Sequence, residues 1–178
     1  MPVFGQKARF AIEYTLGVEH GREWLFGRFC YWCKGMQIGD YESGTSLRDV
    51  LFELEGIARN AGRRTNPRFT GVPASQVFNL LDRALYGPEV NEYIEIANEE
   101  QWGRHTVIPG VDIFNEWKGF LVEEEQAARL IIAYLPTGKV QAFTLAPGEI
   151  DKTVKELILD LGALYDQYLK DEKQSFNS

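Results

Sequence analysis

The chain holds only two histidines and two cysteines in 178 residues, and its longest apolar run is Leu130 to Leu135. Each shortage excludes something. His20 and His105 lie far apart in sequence, in neither zinc-finger nor HExxH spacing, so they nucleate no metal or catalytic set. A nucleophile elbow is also missing, and no pair of carboxylates stands out as an acid and a base set apart by environment. No catalytic, cofactor-binding or metal-ligating residue is therefore assigned. The apolar run is too short to span a bilayer, and the opening MPVFGQKARF has no apolar signal core. The expectation is a cytoplasmic protein with reduced thiols and no membrane partner. Basic charge is scarce too: 19 Lys and Arg against 26 Asp and Glu give a net charge of −7. That balance disfavours phosphate backbones, so no direct nucleic-acid binding is expected, and it favours a basic partner.

What is present is ordinary globular material, 44% apolar and 25% charged, at a length that buries about 70% of its unfolded surface. One domain is expected over residues 1–170, followed by a polar tail over 171–178. Trp24 to Asp40 reads as the central hairpin: an aromatic strand (Trp24, Phe26, Phe29, Tyr31, Trp32), a turn at Lys34-Gly35, and a short return strand. Before it, Phe10, Ile12 and Tyr14 alternate with Ala11, Glu13 and Thr15 as in a half-buried strand over Ala8 to Leu16, joined to the hairpin by a turn at Gly17 to Gly21. After it, Thr45 or Ser46 caps a helix whose stripe is Leu47, Val50, Leu51, Leu54, Ile57 and Ala58, stopped by Gly62.

A second amphipathic helix spans about Ala74 to Tyr86. Glu89 to Trp102 fits a helix started by Pro88, although Ile94 and Ile96 also alternate like a strand. Val111 to Phe114 and Phe120 to Val122 read as strand pieces, Arg129 to Leu135 and Val140 to Leu145 as a hairpin across Pro136-Thr137-Gly138. A long helix from about Ile150 to Leu169 closes the domain. Hairpins alternating with helices predict an α+β fold: a mostly antiparallel β-sheet packed with about three amphipathic helices.

Three stretches invite chemical readings. Cys30 and Cys33 have the spacing of a redox or metal pair, but residues three apart on a strand point to opposite faces, which favours packed, inert thiols. Gly39 to Ser46 resembles a phosphate loop in its glycine and hydroxyl positions, yet Thr45 stands where lysine is required and Asp40 and Glu42 add like charge. Arg59, Arg63, Arg64 and Arg68 form the basic cluster, which reads as ion-paired surface or as a binding module for nucleic acid or a carboxylate. Acidic groups are denser: Glu89, Glu92, Glu95, Glu99 and Glu100, then Glu123, Glu124 and Glu125. They read as a solvated face or as a docking surface for a basic protein.

Phe10 to Glu13, Gly27 to Cys30, Gly35, Ile38 to Asp40 and Leu47 to Val50, in that order and spacing, resemble the immunity protein 42 family of bacterial polymorphic-toxin and contact-dependent inhibition systems. The likeness is densest over residues 9–51 and continues through Trp117-Lys118, Leu121 to Glu123 and Arg129-Leu130. It implies a non-enzymatic protein whose partner is a cognate toxin C-terminal domain, which it binds and neutralises. Among the motif residues, Gly27, Arg28, Cys30, Gly39, Asp40, Arg48 and Asp49 suit turn, cap, packing and ion-pair positions, leaving the acidic groups as the expected toxin-facing surface. A small regulatory module or a thiol-dependent protein using Cys30 and Cys33 is the other reading.

Overall fold

The computed structural model describes residues 2–18 and 24–176, with side chains through Lys170. His20 and most of the expected Gly17–Gly21 turn lie outside the described residues. The chain forms two compact units: residues 1–59, 109–115 and 149–178 in one, residues 60–108 and 116–148 in the other.

In the first unit, strands β1 (Val3–Gly5), β2 (Phe10–Leu16), β3 (Phe26–Cys33) and β4 (Met36–Ile38) form an antiparallel sheet in that order, and the two-residue β5 (Thr45–Ser46) pairs with the start of β3. Register follows the period-two pattern. Phe10 faces Cys33, Ile12 faces Tyr31 and Tyr14 faces Phe29, so the large side chains of both strands share one face. Phe10 meets Tyr31 edge-on at 5.4 Å, and Phe114 closes on Tyr31 at 5.3 Å. Lys34 and Gly35 take φ of 51° and 78°, the left-handed pair that a two-residue hairpin turn demands. Helix α1 (Leu47–Ala58) buries Leu47, Val50, Leu51, Leu54 and Ile57; helix α4 (Glu149–Phe176) buries Ile150, Val154, Leu157 and Leu161. α4 packs on α1, β1 and β2. Among the described residues no helix is long and apolar enough to cross a membrane.

The second unit is a meander, β6 (Trp117–Glu123), β7 (Ala128–Tyr134) and β8 (Lys139–Leu145), covered by α2 (Ala74–Tyr86), against which the short α3 (Ile94–Glu99) packs. Phe69, Phe78, Leu81, Trp102, Phe120, Val122 and Ile131 make its core.

The fold is α+β with antiparallel pairing, but the strands divide into two sheets rather than one. Other corrections are local and have visible causes. The aromatic strand begins at Phe26, not Trp24, because Leu25 adopts φ 50°. Val3–Gly5 is an additional strand, too short to show periodicity. α1 ends at Ala58, ahead of Gly62, and α4 continues past Leu169. Asp112–Phe114 is a 3-10 turn, and β6 starts at Trp117. The helix expected from Pro88 starts only at Ile94. Asn91 donates to the Arg83 and Pro88 carbonyls and accepts from the Tyr93 amide, a local alternative to helix. Gln101, at φ 54°, keeps α3 from continuing into the 3-10 turn at Trp102–His105.

Candidate functional site

The motif residues of the first unit make close contacts within it. A Cβ at Gly27 would fall 2.3 Å from the Thr15 carbonyl oxygen, so only glycine lets β3 approach β2 there. Arg28 pairs with Glu42 at 3.1 Å and lies over the Tyr41 ring. Asp40 accepts from the Ser43 hydroxyl and from the Ser43 and Glu42 amides, which holds its carboxyl below the usual range. Ser46 caps α1 by accepting from the Asp49 amide, and Arg48 bonds Asp49 while stacking on Trp24 at 3.7 Å. The phosphate-loop likeness thus resolves into an aspartate-closed turn followed by a capped helix.

Cys30 and Cys33 are both fully buried and belong to alternate faces of β3. Burial pushes both thiols up to about 12, with Glu13 adding to the effect at Cys30. A thiol in that state is not a nucleophile. Among the described residues, no group of three or more His, Cys, Asp or Glu could hold a metal ion.

The acidic groups fall in the second unit and separate into two kinds. Glu92, Glu95 and Glu99 are exposed and rim an open cleft of about 500 Å³ with Tyr93, Ile96, Phe69 and Trp102 in its walls and Arg68 also on its lining, and Glu92 is paired with Arg83 at 2.9 Å. Glu89 and Glu125 are exposed as well. Glu100, by contrast, is committed: it accepts from Arg68 Nε at 2.6 Å, Asn66 Nδ2 at 2.8 Å and Trp102 Nε1 at 2.9 Å, and these bonds lower its carboxyl to about 2. Glu123 is buried and accepts from the Gly148 amide, and Glu124 pairs with Arg129. The basic cluster is similarly engaged. Arg63 bonds Gln101, Arg64 is fully buried with Nε on the Arg104 carbonyl, and Arg68 holds Glu100; Arg59 belongs to the other unit.

A feature that strand propensity assigns to the core lies open in the first unit. Trp24, Phe26 and Phe52 are 42%, 47% and 48% exposed and line a cleft of about 790 Å³ together with Asp49, Glu53 and Asp112. The available signal was positional. Trp24 and Phe26 flank Leu25, which is fully buried, so the alternation of the chain places both aromatics on the opposite side from it.

A family model described as Immunity protein 42 matches residues 1–159. Among solved structures, the chain is similar to one described as the crystal structure of CdiI from Burkholderia dolosa AUO158, with a TM-score of 0.66 and 19% sequence identity over 89% of this chain and 99% of that one. At that identity the likeness is one of fold. No curated protein matches the chain.

Proposed function

The chain belongs to the immunity protein 42 family, and we propose on that ground that it binds a cognate bacterial toxin domain and neutralises it inside the producing cell. Family membership is the observation that carries this reading, and the chemistry of the molecule accords with it. The two thiols are buried and held protonated, and the carboxylates with strong local partners serve the fold. Neutralisation then comes from occupying the toxin, without catalysis.

Within the second unit, Glu92, Glu95 and Glu99 contribute to the toxin-facing surface. They combine what recognition of a basic protein needs: exposed carboxylates, of which Glu92 is shared with Arg83 at 2.9 Å, around apolar and aromatic walls that can be desolvated. Glu89 and Glu125 add to the same negative field, while Glu100, Glu123 and Glu124 act by holding their surroundings in place. Co-expression with the C-terminal toxin domain encoded immediately upstream tests the reading. Growth rescue with a co-purifying complex is the expected result; toxicity without rescue or binding refutes it. Reversing Glu92, Glu95 and Glu99 to lysine should weaken the complex most at low salt. Unchanged affinity and salt dependence would remove these residues from the interface.

A further inference from the structure

We propose that the aromatic cleft of the first unit is a docking site for an arginine-bearing segment of the toxin domain. This inference rests on the toxin-binding reading but concerns different residues. Three observations carry it.

The first is exposure of the wrong kind of side chain. Trp24, Phe26 and Phe52 keep nearly half their surface in water although the same unit buries Phe10, Phe29, Tyr31 and Phe114 completely or nearly so. Clustered exposed aromatics rimmed by polar groups are a mark of protein interfaces, where Trp and other large anchors supply most of the binding energy.

The second is charge. Asp49, Glu53 and Asp112 line the cleft, and no lysine or arginine does so among the described residues. Carboxylates beside aromatic faces select a guanidinium over an ammonium, because the planar group stacks on rings while its N–H fork meets a carboxylate. The molecule already displays this chemistry at the cleft margin, where the Arg48 guanidinium lies 3.7 Å from the Trp24 ring centre and bonds Asp49.

The third is preorganisation. Leu25 is fully buried at φ 50°, its carbonyl accepts from the Leu47 amide, and the Trp24 carbonyl accepts from the Ser46 hydroxyl. Phe26 is paired to Ser46 across β3 and β5. On the other wall, the Glu53 carboxylate accepts from the Gly110 amide at 3.1 Å, and Phe52 meets Tyr165 edge-on at 5.9 Å. A backbone conformation costly for leucine is thus held by its surroundings in a way that turns Trp24 and Phe26 outward, and a partner meets rings that need little ordering.

The test is titration calorimetry of the purified cognate toxin domain into the wild-type chain, Phe26→Ala and Asp112→Lys, at low and high salt. Urea unfolding of each variant confirms that it is folded. Phe26→Ala should weaken binding about tenfold, the scale of one truncated anchor. Asp112→Lys should weaken it at least as much at low salt and less at high salt. If the wild type fails to bind, the immunity reading itself is lost. If it binds and both variants match it within about twofold, the toxin does not use this cleft. A wild-type dimer that Phe26→Ala dissociates, with toxin affinity unchanged, would make a second copy the occupant and overturn the proposal.

Discussion

Gly39 lies face to face with the Phe114 ring: a Cβ at position 39 would stand 2.7 Å from Phe114 Cε1, and the backbone there has φ 99°. The next residue's amide donates to the Ile113 carbonyl at 2.8 Å, so the chain just after β4 is joined to the 3-10 turn at a place where glycine is required. Gly39→Ala is expected to destabilise the protein by about 3 kcal/mol, from about 1–2 for a left-handed non-glycine backbone and about 1–3 for overpacking. A urea midpoint within experimental error of wild type would show that Phe114 yields freely.

The same contact shows how far the sequence could be read. Glycine at 39 and aspartate at 40 announced a turn, and the Ser46 cap and the stripes of α1, α2 and α4 were legible because capping chemistry and helical period are local. Phe114 as the partner of Gly39 was not, since tertiary proximity leaves no mark at that separation. The short α3 was obscured by Asn91, whose side chain competes for the backbone. For the candidate site, charge density pointed to the acidic groups but could not separate the exposed Glu92, Glu95 and Glu99 from Glu100, held by three donors, or from the buried Glu123. Trp24 and Phe26 read as core because residue type gives strand preference, not which face meets water.

The thiols yield a prediction about reactivity. Because Cys30 and Cys33 are raised to about 12 from an ordinary value near 9, their thiolate fraction at neutral pH is depressed about a thousandfold, before any steric protection. Iodoacetamide should label the native protein far more slowly than the urea-unfolded chain. The Cys30→Ala/Cys33→Ala double variant should retain growth rescue. Rapid native labelling, or loss of rescue by a folded double variant, would restore a thiol-dependent role.

Glu100 predicts an acid limb. Its carboxyl is lowered to about 2 by Arg68, Asn66 and Trp102, against 4.5 for the ordinary group. The folded state therefore binds fewer protons than the unfolded state between those values, so the stabilisation is complete above about 4.5 and is lost as pH falls towards about 2. Glu100→Gln should be less stable than wild type at pH 7, and the gap should close at the acid end. A gap independent of pH would mean that the network acts by packing alone.

His105 predicts a second window at higher pH. It is fully buried, and its Nδ1 donates to the Leu121 carbonyl at 2.8 Å, which fixes the tautomer and leaves Nε2 as an unprotonated nitrogen with no hydrogen-bond partner. Burial lowers its pKa to about 4 from 6.5, and Arg104 and Arg64 act in the same direction against the opposing carbonyl. An unfolded histidine takes up its proton near 6.5, the folded one only near 4, so the unfolded state binds more protons in between. Stability should rise with pH across that interval and be complete above about 6.5. His105→Asn keeps an amide able to donate to Leu121 but does not titrate. Its unfolding free energy, followed from pH 7 to 4, should therefore fall less steeply than that of wild type. Equal slopes would show that His105 takes up its proton in the folded protein as readily as in the unfolded chain.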